Sequence, residues 1–436
     1  MFMNRKHWMT VAATVVLSSS LLAGCGGATN NTASPPANQS GNQTSGQAAT
    51  DPTATITFYE AMPGALGKEL QSLTDTFQSQ HPTIKVQLIF NGSYTTQQQK
   101  LTAAIAARKP PTIAQVQETW ETEYYNNGLL QPLGALLPQS TVNDLMPIWK
   151  DDNSYGGKLV SAPFNKSAYV LYYNTDDFAK AGITSPTTTW NQLEQDAIDL
   201  TNKAGVPGLG IQANWYTFEM LLNQAGGKVL TSDEKQAAFN DAAGQSALSF
   251  MNKLVKQDKA ATVIGQNAYL SDGFNTNQYA MDLDSTAAMS FITNKNTHWK
   301  VAPLPQGTQA AVPTAGTNIV LFKSASADEQ RAAVEYINFL ISKENTIQWA
   351  EKTGYLPVRQ SALTDPSWQQ FISANPNAGV APAEMAHAYF SPRLAALNSG
   401  MTDATTQLGN FINGNQPLSQ TLKNMADAIN QALAGQ

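Results

Sequence analysis

From residue 54 onward, two apolar patterns alternate along the chain, and this alternation limits the possible folds more than any other feature. Residues 56–59 and 84–90 place apolar side chains at every second position, which is typical of half-buried strands. Between them, leucine or phenylalanine recurs every three or four positions from Leu66 to Phe77, as on one face of a helix. Strands and helices in strict alternation predict an α/β protein with a parallel, doubly wound sheet.

The same alternation continues through the rest of the chain. Residues 95–108 and 190–204 fit helices, and residues 112–116 and 169–173 fit strands. Near the end, a Ser-Ala-Asp-Glu segment at 326–329 has the spacing of a capping box, which predicts that a helix begins there. We expect the last fifth of the chain to be mostly helical.

The composition excludes several classes of function. The chain carries 26 Lys and Arg against 32 Asp and Glu, so it has no basic surplus with which to neutralise a nucleic acid. A single cysteine excludes a disulfide framework and a cysteine-based zinc site, and four histidines leave little room for other metals. The sequence also lacks the HExxH, GxSxG and EF-hand motifs. We therefore expect no nucleic-acid partner, no metal, no cofactor, and a protein that binds rather than catalyses.

The first 25 residues have the pattern of a lipoprotein signal. Positive residues at 5–7 precede an apolar run at 8–22, which is short for a membrane-spanning helix. The run ends in Leu-Ala-Gly-Cys at 22–25, which resembles a bacterial lipobox. We expect residues 1–24 to be a signal peptide and Cys25 to carry a lipid. The alternative is an ordinary signal peptide followed by an accidental cysteine.

A polar segment separates the signal from the folded part. Residues 25–53 are rich in Gly, Ser, Asn, Gln and Pro and hold almost no apolar side chain, which predicts a flexible linker. No second long apolar run follows. We therefore expect an extracytoplasmic protein held at the outer face of the cell membrane by its N-terminal lipid alone, on the periplasmic side if the cell has an outer membrane.

Aromatic residues stand beside amides and acids in several predicted loops. Examples are the segments at 91–94, 118–120, 214–216 and 355–357. An aromatic face suits the apolar C–H face of a sugar or polyol, and neighbouring polar groups suit its hydroxyls. Each segment alone is equally consistent with packing, but together they favour a neutral hydroxylated solute as ligand.

Five segments, in order, resemble the family 1 extracellular solute-binding proteins of carbohydrate-type ABC importers, and within that family the glycerol-3-phosphate-binding members. They are residues 56–69, 91–94, 113–118, 163–174 and 352–357. The Pro-Phe-Asn to Leu-Tyr-Tyr-Asn run at 163–174 and the Lys-Thr-Gly-Tyr-Leu-Pro run at 352–357 are the most specific.

The resemblance implies a type II periplasmic-binding-protein-like fold. Two α/β lobes would close on a ligand, joined by three chain crossings near residues 166–170, 302–305 and 353–357. The implied boundaries are 54–166 and 304–354 for the N-terminal lobe, and 167–303 and 355–436 for the C-terminal lobe.

The resemblance also implies a set of ligand contacts, namely Tyr94, Glu118, Ser167, Ser285, Gly316 and Tyr355. Glu118 would accept hydrogen bonds from ligand hydroxyls, whereas Ser167, Ser285 and the Gly316 amide would donate them. Trp215 matches an aromatic residue that stacks on the ligand. The alternative role is packing between lobes for Tyr355 and Trp215, and a turn for Gly316.

Two departures from the family pattern bear on the ligand. Met401 stands where the family has an arginine that holds phosphate, whereas Arg393 matches a different family arginine. Asp282 and Asp284 precede Ser285 where the family has neutral residues, and we include both in the candidate site. Such changes would repel a phosphate dianion, because charge-assisted pairing holds one. A neutral sugar, a polyol or a glycerophosphodiester with a cationic head group fits better, and glycerol 3-phosphate remains the alternative.

These observations predict a monomeric, membrane-tethered solute-binding lipoprotein that delivers a small hydroxylated solute to ABC permease subunits. Two other classes remain open. A secreted carbohydrate-active enzyme would need a pair of carboxylates across a cleft. A sensory or adhesion lipoprotein with the same fold would lack a permease partner.

Overall fold

The computed structural model describes residues 52–265 and 268–435. The predicted signal peptide, Cys25 and all but the last two residues of the predicted linker lie outside the described residues. Within the described part, no helix has both the length and the apolar character that crossing a bilayer requires.

The strands are mostly short, and the two longest have 13 and 10 residues. Their bounds are β1 Ala54–Glu60, β2 Ile84–Phe90, β3 Ile113–Val116, β4 Ser154–Tyr155, β5 Lys158–Leu159, β6 Ala162–Asn174, β7 Leu209–Gln212, β8 Ala261–Ile264, β9 Met281–Ser285, β10 Trp299–Ala302, β11 Val312–Leu321 and β12 Ala388–Tyr389.

Helices connect the strands and form most of the C-terminal part. Their bounds are α1 Gly64–Gln80, α2 Tyr94–Ala106, α3 Glu118–Asn126, α4 Gln139–Asp144, α5 Pro147–Asp152, α6 Thr175–Ala181, α7 Trp190–Asp199, α8 Trp215–Gln224, α9 Ala242–Asn252, α10 Leu270–Asn275, α11 Ala327–Leu340, α12 Lys343–Thr353, α13 Gln360–Leu363, α14 Pro366–Ala374, α15 Pro376–Glu384, α16 Leu397–Ile412 and α17 Leu418–Ala434. Short π-helical turns extend α7 and α9.

Local sequence signals explain several of these bounds. The predicted capping box is present at the start of α11, where Ser326 accepts from the Glu329 backbone N–H and the Glu329 side chain accepts from the Ser326 backbone N–H. The apolar stripe of α1 is buried as its spacing predicts, with Leu66, Leu70 and Phe77 at 4% exposure or less. The predicted helices near 95–108 and 190–204 are confirmed.

The main sheet is mixed, so the expectation of a parallel sheet is wrong. Its order is β2-β1-β3-β11-β6-β9-β7-β8. The outer triplets β2-β1-β3 and β9-β7-β8 are parallel, as alternating strands and helices predict. The two central strands, β11 and β6, run antiparallel to each other and to their outer neighbours. Because β6 and β11 link the two triplets, they do not follow the strand-helix-strand pattern that makes neighbours parallel.

The long strand β6 changes partners midway. Residues 162–168 pair with β11, and residues 169–173 pair with β9. Lys166 lies opposite Gly316 of β11 on one side and forms an isolated bridge to Leu356 on the other. Parts of two predicted crossing segments, 166–170 and 353–357, therefore meet at Lys166, whereas Ala302 of the remaining segment pairs with Leu171 further along β6.

Two large apolar clusters cover the faces of this sheet. One joins β1, β2 and α1 to α11 and to one face of β6, through residues such as Phe58, Phe77 and Tyr336. The other lies mainly between residues 171 and 304 and between residues 397 and 429. Beyond the third predicted crossing, Arg359 pairs with Asp144 of α4 at 2.8 Å. The lobe boundaries stay a prediction, and the segment after Tyr355 first packs against α4.

Candidate functional site

A cavity of about 170 Å³ lies where distant parts of the chain come together. Its walls are residues 117–119 at the start of α3, residues 313–316 of β11, the segment 389–392, and the side chains of Tyr169, Tyr216, Glu219 and Met401. The walls thus come from β6, β11, β12 with the residues after it, and three helices, α3, α8 and α16. Two carboxylates line the cavity, and no lysine, arginine or histidine does so among the described residues.

Glu118 is the first residue of α3 and is held by a buried lysine. Its Oε1 accepts from Lys166 Nζ at 3.0 Å, and its side chain is 28% exposed. Burial raises the pKa of Glu118 above its usual range, and the positive charge of Lys166 opposes that shift. The Oε1 of Glu118 is therefore held by Lys166, while the carboxylate remains accessible from the cavity.

Lys166 is held between two acids. Its side chain is 1% exposed, and Nζ also donates to Asp152 Oδ2 at 2.6 Å. Burial by itself lowers the pKa of Lys166, but the charges of Asp152 and Glu118 outweigh burial and raise it. Lys166 therefore stays protonated, and its charge is already neutralised before any ligand arrives.

Glu219 projects from α8 and is 2% exposed. Its Oε2 accepts from Trp215 Nε1 at 2.8 Å and from Ser391 Oγ at 2.9 Å. Its Oε1 has no hydrogen-bond partner among the described residues. Burial raises the pKa of Glu219 to about 7, although the bonds from Ser391 and Trp215 lower it.

Aromatic rings surround these acids. Tyr169, Tyr216, Tyr389 and Phe390 line the cavity, and Tyr216 is half exposed. Burial raises the pKa of the first three, and the charge of Glu219 adds to the shift in each case. The guanidinium of Arg393 lies 4.9 Å from the Phe390 ring and donates to the Asp152 and Ser154 carbonyls.

Only some of the expected ligand contacts line the cavity. Glu118 and Gly316 do so, and Met401 does as well, at the position where the family pattern has an arginine. Gly316 has a φ of +116°, and a Cβ there would lie 2.0 Å from the Asn165 carbonyl oxygen. Its role therefore includes close strand contact, beyond the turn considered from the sequence.

The other expected contacts form two polar pairs, one of serines and one of tyrosines. Ser285 Oγ donates to Ser167 Oγ at 2.8 Å and accepts from the Ala287 backbone N–H at 3.1 Å. Tyr94 and Tyr355 interact with each other through their hydroxyls and lie beside Asn165. Ser167 is opposite Ala315 of the cavity wall, so the serine pair adjoins the cavity across the β6–β11 pair.

The structure corrects the expectation for Trp215. Its indole is 2% exposed, packs against Phe218 and Phe239, and does not line the cavity. Asn214 caps α8, and Trp215 and Tyr216 are the first two residues of this helix. Adjacent side chains of a helix point in different directions. Tyr216 faces the cavity in its place, and Trp215 acts on the site by holding Glu219.

The structure also separates Asp282 from the cavity. Asp282 is 1% exposed, neither of its carboxylate oxygens has a partner among the described residues, and burial raises its pKa well above the usual range. Asp284 is partly buried, with its pKa raised to about 6 mainly by burial. Asp284 pairs with Val170, the residue after Tyr169 of the cavity wall, whereas Asp282 pairs with Tyr172 further along β6.

The family of the chain follows from its sequence. The model of the bacterial extracellular solute-binding protein family matches residues 72–379. The chain belongs to this family of solute-binding proteins. The match covers well over half of the chain and confirms the resemblance found in the short segments.

Other solute-binding proteins resemble the chain over most of its length. The sn-glycerol-3-phosphate-binding periplasmic protein UgpB of Pectobacterium atrosepticum is 29% identical over 374 residues, which is 78% of this chain and 80% of that protein. The crystal structure of UgpB from Mycobacterium tuberculosis in complex with glycerophosphocholine superposes with a TM-score of 0.80 at 24% identity, covering 88% of this chain and 99% of that one.

A third solute-binding protein shows the same fold. The cyclic α-maltosyl-1,6-maltose binding protein from Arthrobacter globiformis superposes with a TM-score of 0.77 at 21% identity, covering 88% of this chain and all of that one. These superpositions confirm the two-lobed α/β fold class.

In this solute-binding protein, the site residues expected from the sequence leave out four side chains of the cavity, namely Tyr169, Tyr216, Glu219 and Tyr389, although Tyr216 belongs to the aromatic segment at 214–216. A usable signal existed for Glu219, which lies four residues after Trp215 and so on the same face of one helix. Tyr389 comes from a segment with no strong local pattern, and only the β11–β12 pairing brings it near the cavity.

Proposed function

We propose that this chain is the membrane-tethered binding lipoprotein of an ABC importer, and that its cavity captures a small hydroxylated solute for delivery to permease subunits. Membership of the extracellular solute-binding family supports the transport role. The lipobox-like segment ending at Cys25 supports the lipid anchor.

The proposal that the ligand is neutral or zwitterionic rests on the charge of the cavity wall. Glu118 and Glu219 line it and no basic side chain does so among the described residues. Lys166, the nearest buried cation, is already paired with Glu118 and Asp152. A phosphate dianion would meet negative charge without compensation, whereas a neutral or zwitterionic solute would not. A sugar, a polyol or a glycerophosphodiester therefore fits better than a phosphomonoester.

Glycerol 3-phosphate is the second candidate ligand. The relatives at 26–29% identity are named for binding it, and the relative from Mycobacterium tuberculosis was crystallised with glycerophosphocholine. The two compounds share a glycerol phosphate unit and differ in charge. Both compounds carry the hydroxyls of the glycerol part, and Glu118 is the group suited to accept hydrogen bonds from them.

The ligand would be captured because it makes more contacts with the closed state of the protein than with the open state. The ligand would bind Glu118 at the start of α3 on one side and Tyr216 and Glu219 of α8 on the other. A closed state gains contacts that an open state lacks, so ligand shifts the population toward closure. In this scheme Lys166, which lies on the crossing strand β6, keeps Glu118 in place.

Calorimetric titration of the purified protein tests this proposal. Glycerophosphocholine, glycerol 3-phosphate, sorbitol and maltose would be titrated into the wild type, Glu118→Gln and Glu123→Gln. Glu123 is exposed on the same helix, so its variant carries the same charge change away from the cavity. We expect Glu118→Gln to weaken binding of the solute that binds the wild type at least tenfold, and Glu123→Gln to leave it within twofold. Equal affinities in the two variants would remove Glu118 from the site.

A further inference from the structure

One carboxylate oxygen in the cavity wall has no partner. Glu219 is almost fully buried, and two donors, the Trp215 indole and the Ser391 hydroxyl, both bind its Oε2. Oε1 is left without a hydrogen bond among the described residues. A buried carboxylate oxygen without a partner costs free energy, so its retention in a cavity points to a ligand that completes it.

Three tyrosine rings line the same cavity as this carboxylate. They are Tyr169 of β6, Tyr216 of α8 and Tyr389 of β12, and the charge of Glu219 contributes to raising the pKa of each. The rings come from three separate elements and share one cavity with one buried acid. Aromatic faces arranged around a site attract organic cations, because the ring quadrupole presents negative charge above and below its plane.

The other charges near the cavity reinforce this preference. Glu118 adds a second carboxylate to the wall, and Met401 contributes an apolar thioether where a basic residue would oppose a cation. Arg393, two residues after Ser391, is turned toward the Asp152 and Ser154 carbonyls and the rings of Tyr155 and Phe390.

We propose that the Glu219 carboxylate and the rings of Tyr169, Tyr216 and Tyr389 form a subsite for an organic ammonium group carried by the captured solute. The inference rests on the proposed function and specifies one end of its ligand. A hard metal cation fits the same position poorly, because it requires six or more oxygen ligands and the walls here are mainly aromatic. A methylated or protonated amine needs one anion and apolar contacts around it.

The subsite predicts a dependence of binding on pH. Because the pKa of Glu219 is raised to about 7, its carboxylate is mostly protonated at pH 6 and mostly ionised at pH 8. An ammonium group should therefore bind about tenfold more tightly at pH 8 than at pH 6. The facing tyrosines have raised pKa values and stay neutral over this range. Glu118 faces the same cavity, and its titration should affect cationic and neutral ligands alike.

Two matched ligand pairs test the subsite by calorimetry. Glycerophosphocholine is compared with glycerophosphoglycerol, which has the same phosphodiester and a neutral head group. N-methylglucamine is compared with sorbitol, which replaces its amine by a hydroxyl. The first pair reports a quaternary head group on a phosphodiester, and the second reports an amine on a polyol. We expect the cationic member of at least one pair to bind at least tenfold more tightly at pH 8.

Two variants separate the subsite from the rest of the cavity. Glu219→Gln should abolish the preference for the cationic member and its pH dependence, because it should weaken the cationic member at least tenfold more than the neutral member. Tyr216→Leu, at a half-exposed position where folding is not at risk, should reduce the same preference at least threefold. Glu118→Gln should weaken both members of a pair.

Several outcomes would overturn the subsite. If the cationic and neutral members bind equally in both pairs, or if Glu219→Gln weakens both members equally, no ammonium group is recognised at Glu219. Binding of a neutral sugar or polyol with no cationic preference would overturn the subsite and leave the proposed function intact. If no solute of a broad panel binds the wild type, the proposed function fails as well. Should Glu219→Gln lose its fold, an unchanged preference in Tyr216→Leu overturns the proposal alone.

Discussion

At the scale of single residues, a buried acid controls part of the response of the fold to pH. Glu121 of α3 is completely buried and lies 2.5 Å from Ser161 Oγ and 2.6 Å from Asn318 Nδ2. Ser161 Oγ is also 2.6 Å from Asn153 Oδ1. One hydroxyl proton cannot serve two acceptors, so we infer that protonated Glu121 donates to Ser161, which donates to Asn153. Burial raises the pKa of Glu121 to about 8, in agreement with this arrangement.

This arrangement predicts the effect of Glu121→Gln on stability. The folded-state pKa of about 8 lies above the ordinary value of 4.5, so the wild type loses free energy of unfolding as pH rises between them. The loss from this group is about 1.4 kcal/mol per pH unit. Glutamine can make the same bonds without titrating. Urea unfolding from pH 5 to pH 9 should therefore show a smaller slope for the variant, and identical slopes would contradict a neutral Glu121.

A second residue-scale prediction concerns Met401, which is 8% exposed and lines the cavity. Met401→Arg would add a cation where the wall has none among the described residues. Charge-assisted hydrogen bonds contribute about 1.5–3 kcal/mol, so affinity for glycerol 3-phosphate should rise roughly tenfold or more. Met401→Leu is the control and should leave that affinity unchanged. An arginine variant that folds and binds glycerol 3-phosphate no better would show that this position does not determine charge preference.

At the scale of elements, the strand pair β6–β11 holds the site together. Gly316 lies opposite Lys166, with a backbone conformation that L residues avoid and no space for a side chain. Next to it the register shifts between Thr317 and Asn318. Beyond this shift, Asn318 and Ile319 pair with β6 on one edge of β11 and with β3 on the other. Glu118, which Lys166 holds, and Gly316 are therefore positioned by the same pair of strands.

We expect alanine substitution to change the stability of the protein very differently at two glycines. Gly316→Ala would force a Cβ to within 2.0 Å of the Asn165 carbonyl oxygen and should destabilise the protein by about 3 kcal/mol or more. Gly409→Ala, inside α16 with open space around it, should be neutral or stabilise by up to about 1 kcal/mol. Thermal unfolding of both variants checks the contrast. Equal melting temperatures would mean that β11 relaxes without cost.

The local parts of this fold could be predicted from the sequence, because they depend on spacing within one segment. The stripe of α1 and the capping box at Ser326 are such cases. The antiparallel centre of the sheet could not, since it depends on pairing between β6 and β11, about 150 residues apart. Trp215 and Tyr216 show the same limit within the site. Adjacent residues at a helix start differ in direction, and only the packing of α8 decides which one faces the cavity.

At the scale of the whole molecule, the arrangement favours a binding protein with one cavity wall on each side of a crossing strand. Lys166 of β6 pairs with Glu118 of α3 and Asp152 of α5, and its backbone carbonyl accepts from the backbone N–H of Leu356 in the third crossing segment at 2.7 Å. Ligand contact at Glu118 is thus coupled directly to the strand about which the proposed lobes would move. We therefore expect ligand binding to raise the stability of the whole protein.

A thermal-shift screen of the purified chain tests the central claim most directly. The panel holds sugars, polyols, glycerophosphodiesters and glycerol 3-phosphate, measured on the wild type and on Glu118→Gln. A ligand at 100 times its Kd stabilises the folded state by about 2.7 kcal/mol, which corresponds to several degrees in Tm. We predict such a rise for one or more neutral or zwitterionic solutes, and its loss in Glu118→Gln. A larger rise with glycerol 3-phosphate than with any other compound, or no rise with any compound, would contradict the account.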